Sequence, residues 1–153
     1  MAETARKIDE TLVDPMRTWF RMLRLHHRST AAMAARLKEL GLSIAQFDLL
    51  STLTEREGIS QSELAERLYV TKGNVSGLVD RLVASGLVER RAIVGDRRSY
   101  ALHLTAEGRR LAEAGIKAQR AYVAETLGSL PGRDIAELER IVVDWRDRVR
   151  ALG

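Results

Sequence analysis

The hydrophobic pattern of this chain departs from a helical period once, and that departure constrains its fold more than any other feature. From Ser43 to Gly86 apolar residues recur at helical spacing in three short segments, each opened by a serine or threonine. Ser43 with Gln46 reads as a capping box for a helix over 44–57, with Phe47, Leu50 and Leu53 facing inward and Gly58 as its stop. Ser60 with Glu63 reads as a second box, opening a helix from Gln61 to about Tyr69. Thr71 is placed to cap a third helix, Lys72 to about Ser85. There Val75, Leu78, Val79, Leu82 and Val83 follow a strict i, i+3, i+4, i+7, i+8 pattern before Gly86. The period then becomes two. Leu87–Ile93 and Tyr100–Leu104 read as strands, and the turn-rich basic run 94–99 between them reads as the exposed tip of a β-hairpin.

Long helical stripes flank this middle. The segment from about Ile8 to Leu40 carries two apolar faces, one through Val13, Met16, Phe20 and Leu23, the other through Leu12, Trp19, Met22 and Leu37. Such a helix packs on two surfaces at once, its own domain and a partner chain. Pro15 either starts it or kinks it. Thr105 can cap a helix from Ala106 to about Leu127, broken by Gly128 and Pro131, and a last amphipathic helix spans about Arg133 to Leu152. Tyr122 and Trp145 read as packing between two copies. The expected class is mainly α with a small β-hairpin wing (α+β). A winged helix-turn-helix core over 41–105 stands between an N-terminal dimerisation helix, 1–40, and C-terminal dimerisation helices, 106–153.

The charge distribution points to a partner. The formal net charge is +4, and 21 of the 25 cations are arginine. From Gly86 to Arg110 six arginines face Glu89, Asp96 and Glu107, a local surplus of three. Two short helices joined by a tight turn, followed by a basic hairpin, suit duplex DNA, whose major groove admits a helix. On the helix after Thr71, burial of the apolar face leaves Lys72, Gly73, Asn74, Ser76, Gly77 and Arg81 for a ligand. Asn74 can bond adenine and Lys72 guanine or a phosphate. Gly73 and Gly77 are either a close-approach surface or tolerated surface glycines. The free N–H groups at Gln61 and Ser62 suit a phosphate. Arg97 and Arg98 sit at the hairpin tip, where one can enter a minor groove, and Asp96 is expected to orient a neighbouring arginine.

The Gly86-Leu87-Val88-Glu89-Arg90 run, the stretch 74–82, and Asp96-x-Arg98 followed by Leu104-Thr105-x-x-Gly108 resemble the MarR family of bacterial transcriptional regulators. The resemblance covers nearly the whole chain. It implies a homodimer joined through the first and last helices, with one winged unit on each half of a pseudo-palindromic operator. It implies that Arg98 is the wing-tip minor-groove residue and Asp96 its structural partner. It also implies repression relieved by a small, often aromatic and anionic, effector bound between the dimerisation helices and the winged core. Trp19, Met22, Leu23, His26, His27 and Phe47 are the candidates to line that site; plain core or interface packing is the other reading of the same side chains.

Other classes find less support. The chain has no cysteine, so thiolate metal sites and thiol switches are excluded. His26 and His27 point about 100° apart on a helix, so no metal site is expected. No Gly-rich phosphate loop, Gly-x-Ser-x-Gly or His-Glu-x-x-His occurs, so neither an enzyme nor a cofactor is expected. No long uncharged apolar run and no signal-peptide core is present, so the expected location is the cytoplasm. The competing functions are an effector-independent DNA-binding protein and a winged-helix module whose basic hairpin binds another protein.

Overall fold

A computed structural model of the chain describes residues 13–153 apart from 70 and 72. Six helices surround a three-stranded antiparallel sheet. Helix α1 (Pro15–Glu39) starts at the proline: Asp14 is its N-cap, and the Met16 N–H donates to the Asp14 side chain. This settles the choice between a start and a kink; the expected beginning near Ile8 lies outside the described residues. Helix α2 (Ile44–Glu55) opens on the full Ser43–Gln46 capping box. Helix α3 (Gln61–Arg67) is capped by Ser60, whose hydroxyl accepts from the Glu63 N–H at 3.2 Å.

Helix α4 (Val75–Ala84) departs from the expectation. It begins three residues later than Lys72, and its N-cap is Asn74, not Thr71. The Asn74 carbonyl oxygen accepts from the Gly77 N–H at 2.8 Å. Gly73 therefore precedes the helix. Gly77 is inside it, where a Cβ would stand 2.5 Å from the Asn74 amide nitrogen, so the cap itself requires glycine there.

Strands β2 (Val88–Ile93) and β3 (Asp96–Leu104) form the hairpin, with Val88 opposite Leu104 and a bulge at Ala92/Ile93. The expected six-residue tip is a two-residue turn, Val94-Gly95, made possible by φ +86° at Gly95. Arg97 and Arg98 belong to β3. A third strand, β1 (Ile59–Ser60), pairs with Leu102 and Ala101 on the other edge of β3 and was not expected from the sequence. Two helices complete the chain, α5 (Ala106–Glu125) and α6 (Gly132–Ala151), separated by a short 3-10 turn at Leu127–Ser129.

One apolar core runs through these elements. Leu37 of α1, Leu49, Leu50 and Leu53 of α2, Leu64 of α3, Leu82 of α4, Val88 and Leu102 of the sheet and Ala112 of α5 are all buried in it. Helix α5 lies so close to α2 that a Cβ on Gly115 would sit 2.5 Å from the Phe47 ring. By contrast, no residue of α6 is buried. Trp145 of α6 meets Trp19 of α1 within the same chain, ring centroids 5.8 Å apart. Among the described residues no helix is long and apolar enough to cross a membrane, and no group of three His, Asp or Glu stands ready for a metal.

Candidate nucleic-acid interface

The turn between α3 and α4 is anchored from beneath. Asp48 on α2 is 4% exposed, and its two carboxylate oxygens accept the backbone N–H groups of Tyr69 (3.1 Å) and Thr71 (2.7 Å). This fixes how α4 leaves the turn. It also explains why Thr71 does not cap the helix: its N–H is tied down to α2 and its hydroxyl is buried, which turns that side chain away from any ligand. Asp48 escaped the sequence reading, although an acid inside the apolar run 47–50 is a signal for a buried structural carboxylate. Removing it leaves two part-buried donors unpaired, so Asp48→Ala is expected to cost about 2–4 kcal/mol in a urea titration, and Asp48→Asn less, because one acceptor survives. A midpoint equal to the parent's for both variants would show that Asp48 does not hold the turn.

Beyond that turn, Asn74, Ser76 and Arg81 of α4 are exposed, as is Gly73. Gly77 is half-buried under the Asn74 side chain. Asn74 keeps its amide N–H groups for a ligand while its oxygen serves the cap. Lys72 lies outside the described residues.

The wing is tied to α4 by an ion pair between Arg90 of β2 and Asp80. At its end Asp96 accepts the backbone N–H groups of Arg98 (2.9 Å) and Ser99 (3.3 Å). Asp96 thus orients the main chain of Arg98, not its guanidinium. The Arg98 N–H, followed by the Ser99 hydroxyl, holds the Asp96 carboxyl below the usual carboxylate range. A depressed pKa means that the contact is complete at neutral pH and is lost only as the pH falls through that lowered value.

The arginines of the basic stretch divide sharply. Arg90, Arg91, Arg109 and Arg110 pair with Asp80, Glu89, Glu57 and Glu107. The Arg97 and Arg98 guanidinium groups are exposed and meet no carboxylate among the described residues, and the same holds for Arg81. The excess charge is therefore available on α4 and the wing. A cleft of about 220 Å³ between the start of α3 and the wing brings Gln61 and Ser62 together with Arg90, Arg98, Ser99 and Tyr100. Arg90, Ser99 and Tyr100 were not among the expected ligand-facing residues. Strand pairing placed them there, with Arg90 opposite Leu102 and Tyr100 opposite Ala92, a register the sequence does not display.

A second, more apolar cavity of about 480 Å³ lies between α1, α2 and α5. Of the six expected effector residues only His26 and Phe47 line it. Trp19, Met22, Leu23 and His27 do not; they stand mostly on the first half of α1, whereas the wall is built further along by Ser29, Met33 and Leu37. Tyr122 closes another side. Its hydroxyl shares a 2.7 Å hydrogen bond with Ser29 and its ring carries the Arg36 guanidinium at 5.2 Å, so within the chain it joins α5 to α1.

Comparison with known proteins places this architecture. The sequence model of the MarR family matches residues 40–99. A helix-turn-helix transcriptional repressor of Mycobacterium tuberculosis is 34% identical over 110 residues, spanning 72% of this chain and 79% of the relative. A MarR family transcriptional regulator from Silicibacter pomeroyi superposes with a TM-score of 0.70 at 30% identity, over 90% of this chain and 94% of the other. A MarR variant from E. coli in complex with operator DNA superposes with the same score at 26% identity, over 86% of this chain and 98% of the other.

Proposed function

The chain belongs to the MarR family of transcriptional regulators, and from that premise we propose that it is a homodimeric repressor of a pseudo-palindromic operator, released by a small molecule. Each winged unit, 41–105, reads one half-site. The start of α4 presents Asn74, Ser76 and Arg81 to the major groove, Gln61 and Ser62 meet a phosphate at the start of α3, and Arg98 enters the neighbouring minor groove with Arg97 beside it. The observation that carries this reading is the division of the arginines on the wing: Arg90 and Arg91 are neutralised by Asp80 and Glu89, whereas Arg97 and Arg98 at its end are exposed and meet no carboxylate among the described residues. Counterion release makes such unpaired cations the main source of affinity for a duplex. That the E. coli relative was solved in complex with operator DNA supports duplex DNA as the ligand.

Dimerisation is supported by the outer helices. Met16, Phe20 and Leu23 on α1 and Leu138, Ile141, Val142 and Val149 on α6 are exposed apolar side chains that a single copy leaves uncovered. The cavity between α1, α2 and α5 is the effector site of this proposal. Incubating the purified chain with a pool of random duplexes and sequencing the retained fraction tests it. The expected motif is an inverted repeat with half-sites about one helical turn apart, bound by a species of twice the 17.1 kDa chain mass. Recovery of no motif, or a species of single-chain mass on the duplex, contradicts the proposal.

A further inference from the structure

The charge of the effector cavity opposes the anionic ligand that the family resemblance implies. We propose that this cavity takes an apolar organic cation, an amine or quaternary ammonium on an aromatic or alkyl body, and discriminates against carboxylates of the same size; this rests on the cavity being the effector site. Two carboxylates lie in its wall, Asp48 and Glu55, against one imidazole, His26, and among the described residues lining it there is no arginine or lysine. Asp48 is almost fully buried, with its oxygens directed at the turn before α4. Glu55, at the exposed mouth, pairs with no basic side chain among the described residues and accepts only from the Tyr69 hydroxyl, at 3.3 Å. Arg36 stands near the cavity through Tyr122, but it is committed to Glu125 and lines a separate groove between α1 and α5.

An anionic ligand would therefore be desolvated beside two like charges with no fixed cation to receive it. A cation meets the opposite situation. Glu55 supplies a counter-charge, and the rings of Phe47 and Tyr69 line the same space, the combination of π-faces and carboxylate that recognises ammonium groups. At about 480 Å³ the cavity is in the range that holds a drug-sized molecule, and its predominantly apolar wall suits a hydrophobic body.

A matched naphthalene series tests the charge assignment directly. Naphthylmethylammonium, naphthylmethanol and naphthoate are titrated at neutral pH into the full chain and into Glu55→Gln, whose exposed position makes it safe for folding. The ammonium is expected to bind about tenfold tighter than the carboxylate, from one partly exposed charge pair and one cation–π contact. Glu55→Gln should remove most of that preference and leave the neutral alcohol unchanged. A carboxylate that binds as tightly as the ammonium, or a preference untouched by Glu55→Gln, overturns the assignment while leaving the effector site standing. Binding of none of the three overturns the effector site as well.

Discussion

Gly108→Ala is expected to destabilise the protein by about 3 kcal/mol or more. A Cβ at that position would stand 1.9 Å from the Leu87 carbonyl oxygen and 2.8 Å from its carbon, and backbone cannot step aside as a side-chain tip can. The contact is tight because the first turn of α5 is stapled to the turn between α4 and β2. The Thr105 hydroxyl donates to the Gly86 carbonyl at 2.6 Å, the Thr105 N–H donates to the Leu87 carbonyl at 3.1 Å, and the Gly108 N–H donates back to the Thr105 hydroxyl at 3.0 Å. Relieving the clash separates α5 from the wing and breaks this set, out of a total stability of roughly 5–15 kcal/mol. Urea unfolding measures the loss. Gly132→Ala is the control, because open space surrounds that position, and it should stay within about 0.5 kcal/mol of the parent. Equal midpoints for the two variants would show that the staple does not hold α5 in place.

The same residues show what the sequence could display. Val75, Leu78, Val79 and Leu82 announced the inward face of α4, and Ser43, Ser60 and Thr105 announced three helix starts, because periodicity and capping act over a few neighbouring residues. The start of α4 was misplaced because Thr71 and Asn74 are both competent caps. The choice was made by Asp48, more than twenty positions earlier, which claims the Thr71 N–H. Strand β1 is two residues long and exists only through its pairing with Leu102 and Ala101. Asp96-Arg97-Arg98-Ser99 is as polar as a loop and reads as one, yet Asp96 pairs with Ile93 and the turn is two residues long. The sequence points to Trp19, Met22 and Leu23 for the cavity wall, and the residues of α1 that line it are His26, Ser29, Thr30, Met33 and Leu37. A 25-residue helix is roughly 37 Å long, and its sequence does not state where along that length α5 crosses it.

Arg98→Ala is expected to weaken operator binding by about ten- to a hundredfold at moderate salt, with stability unchanged. The guanidinium meets no carboxylate among the described residues, so its removal leaves no buried group unpaired and costs the fold nothing. The backbone of residue 98 stays in place because Asp96 holds its N–H, which any residue but proline provides. In the proposed dimer the contact is lost from both wings, so the effect counts twice. Arg91→Ala makes the contrast: that arginine is already neutralised by Glu89, and its loss should change affinity far less.

The salt dependence of binding to the selected duplex, measured for the parent and Arg98→Ala side by side, tests the central claim most directly. If the outward arginines of the wing release phosphate counterions, the slope of log affinity against log salt is shallower in the variant by about two per dimer, one for each wing. A variant that binds with the parent's affinity and the parent's slope would contradict the assignment of the wing and α4 as the DNA-reading face.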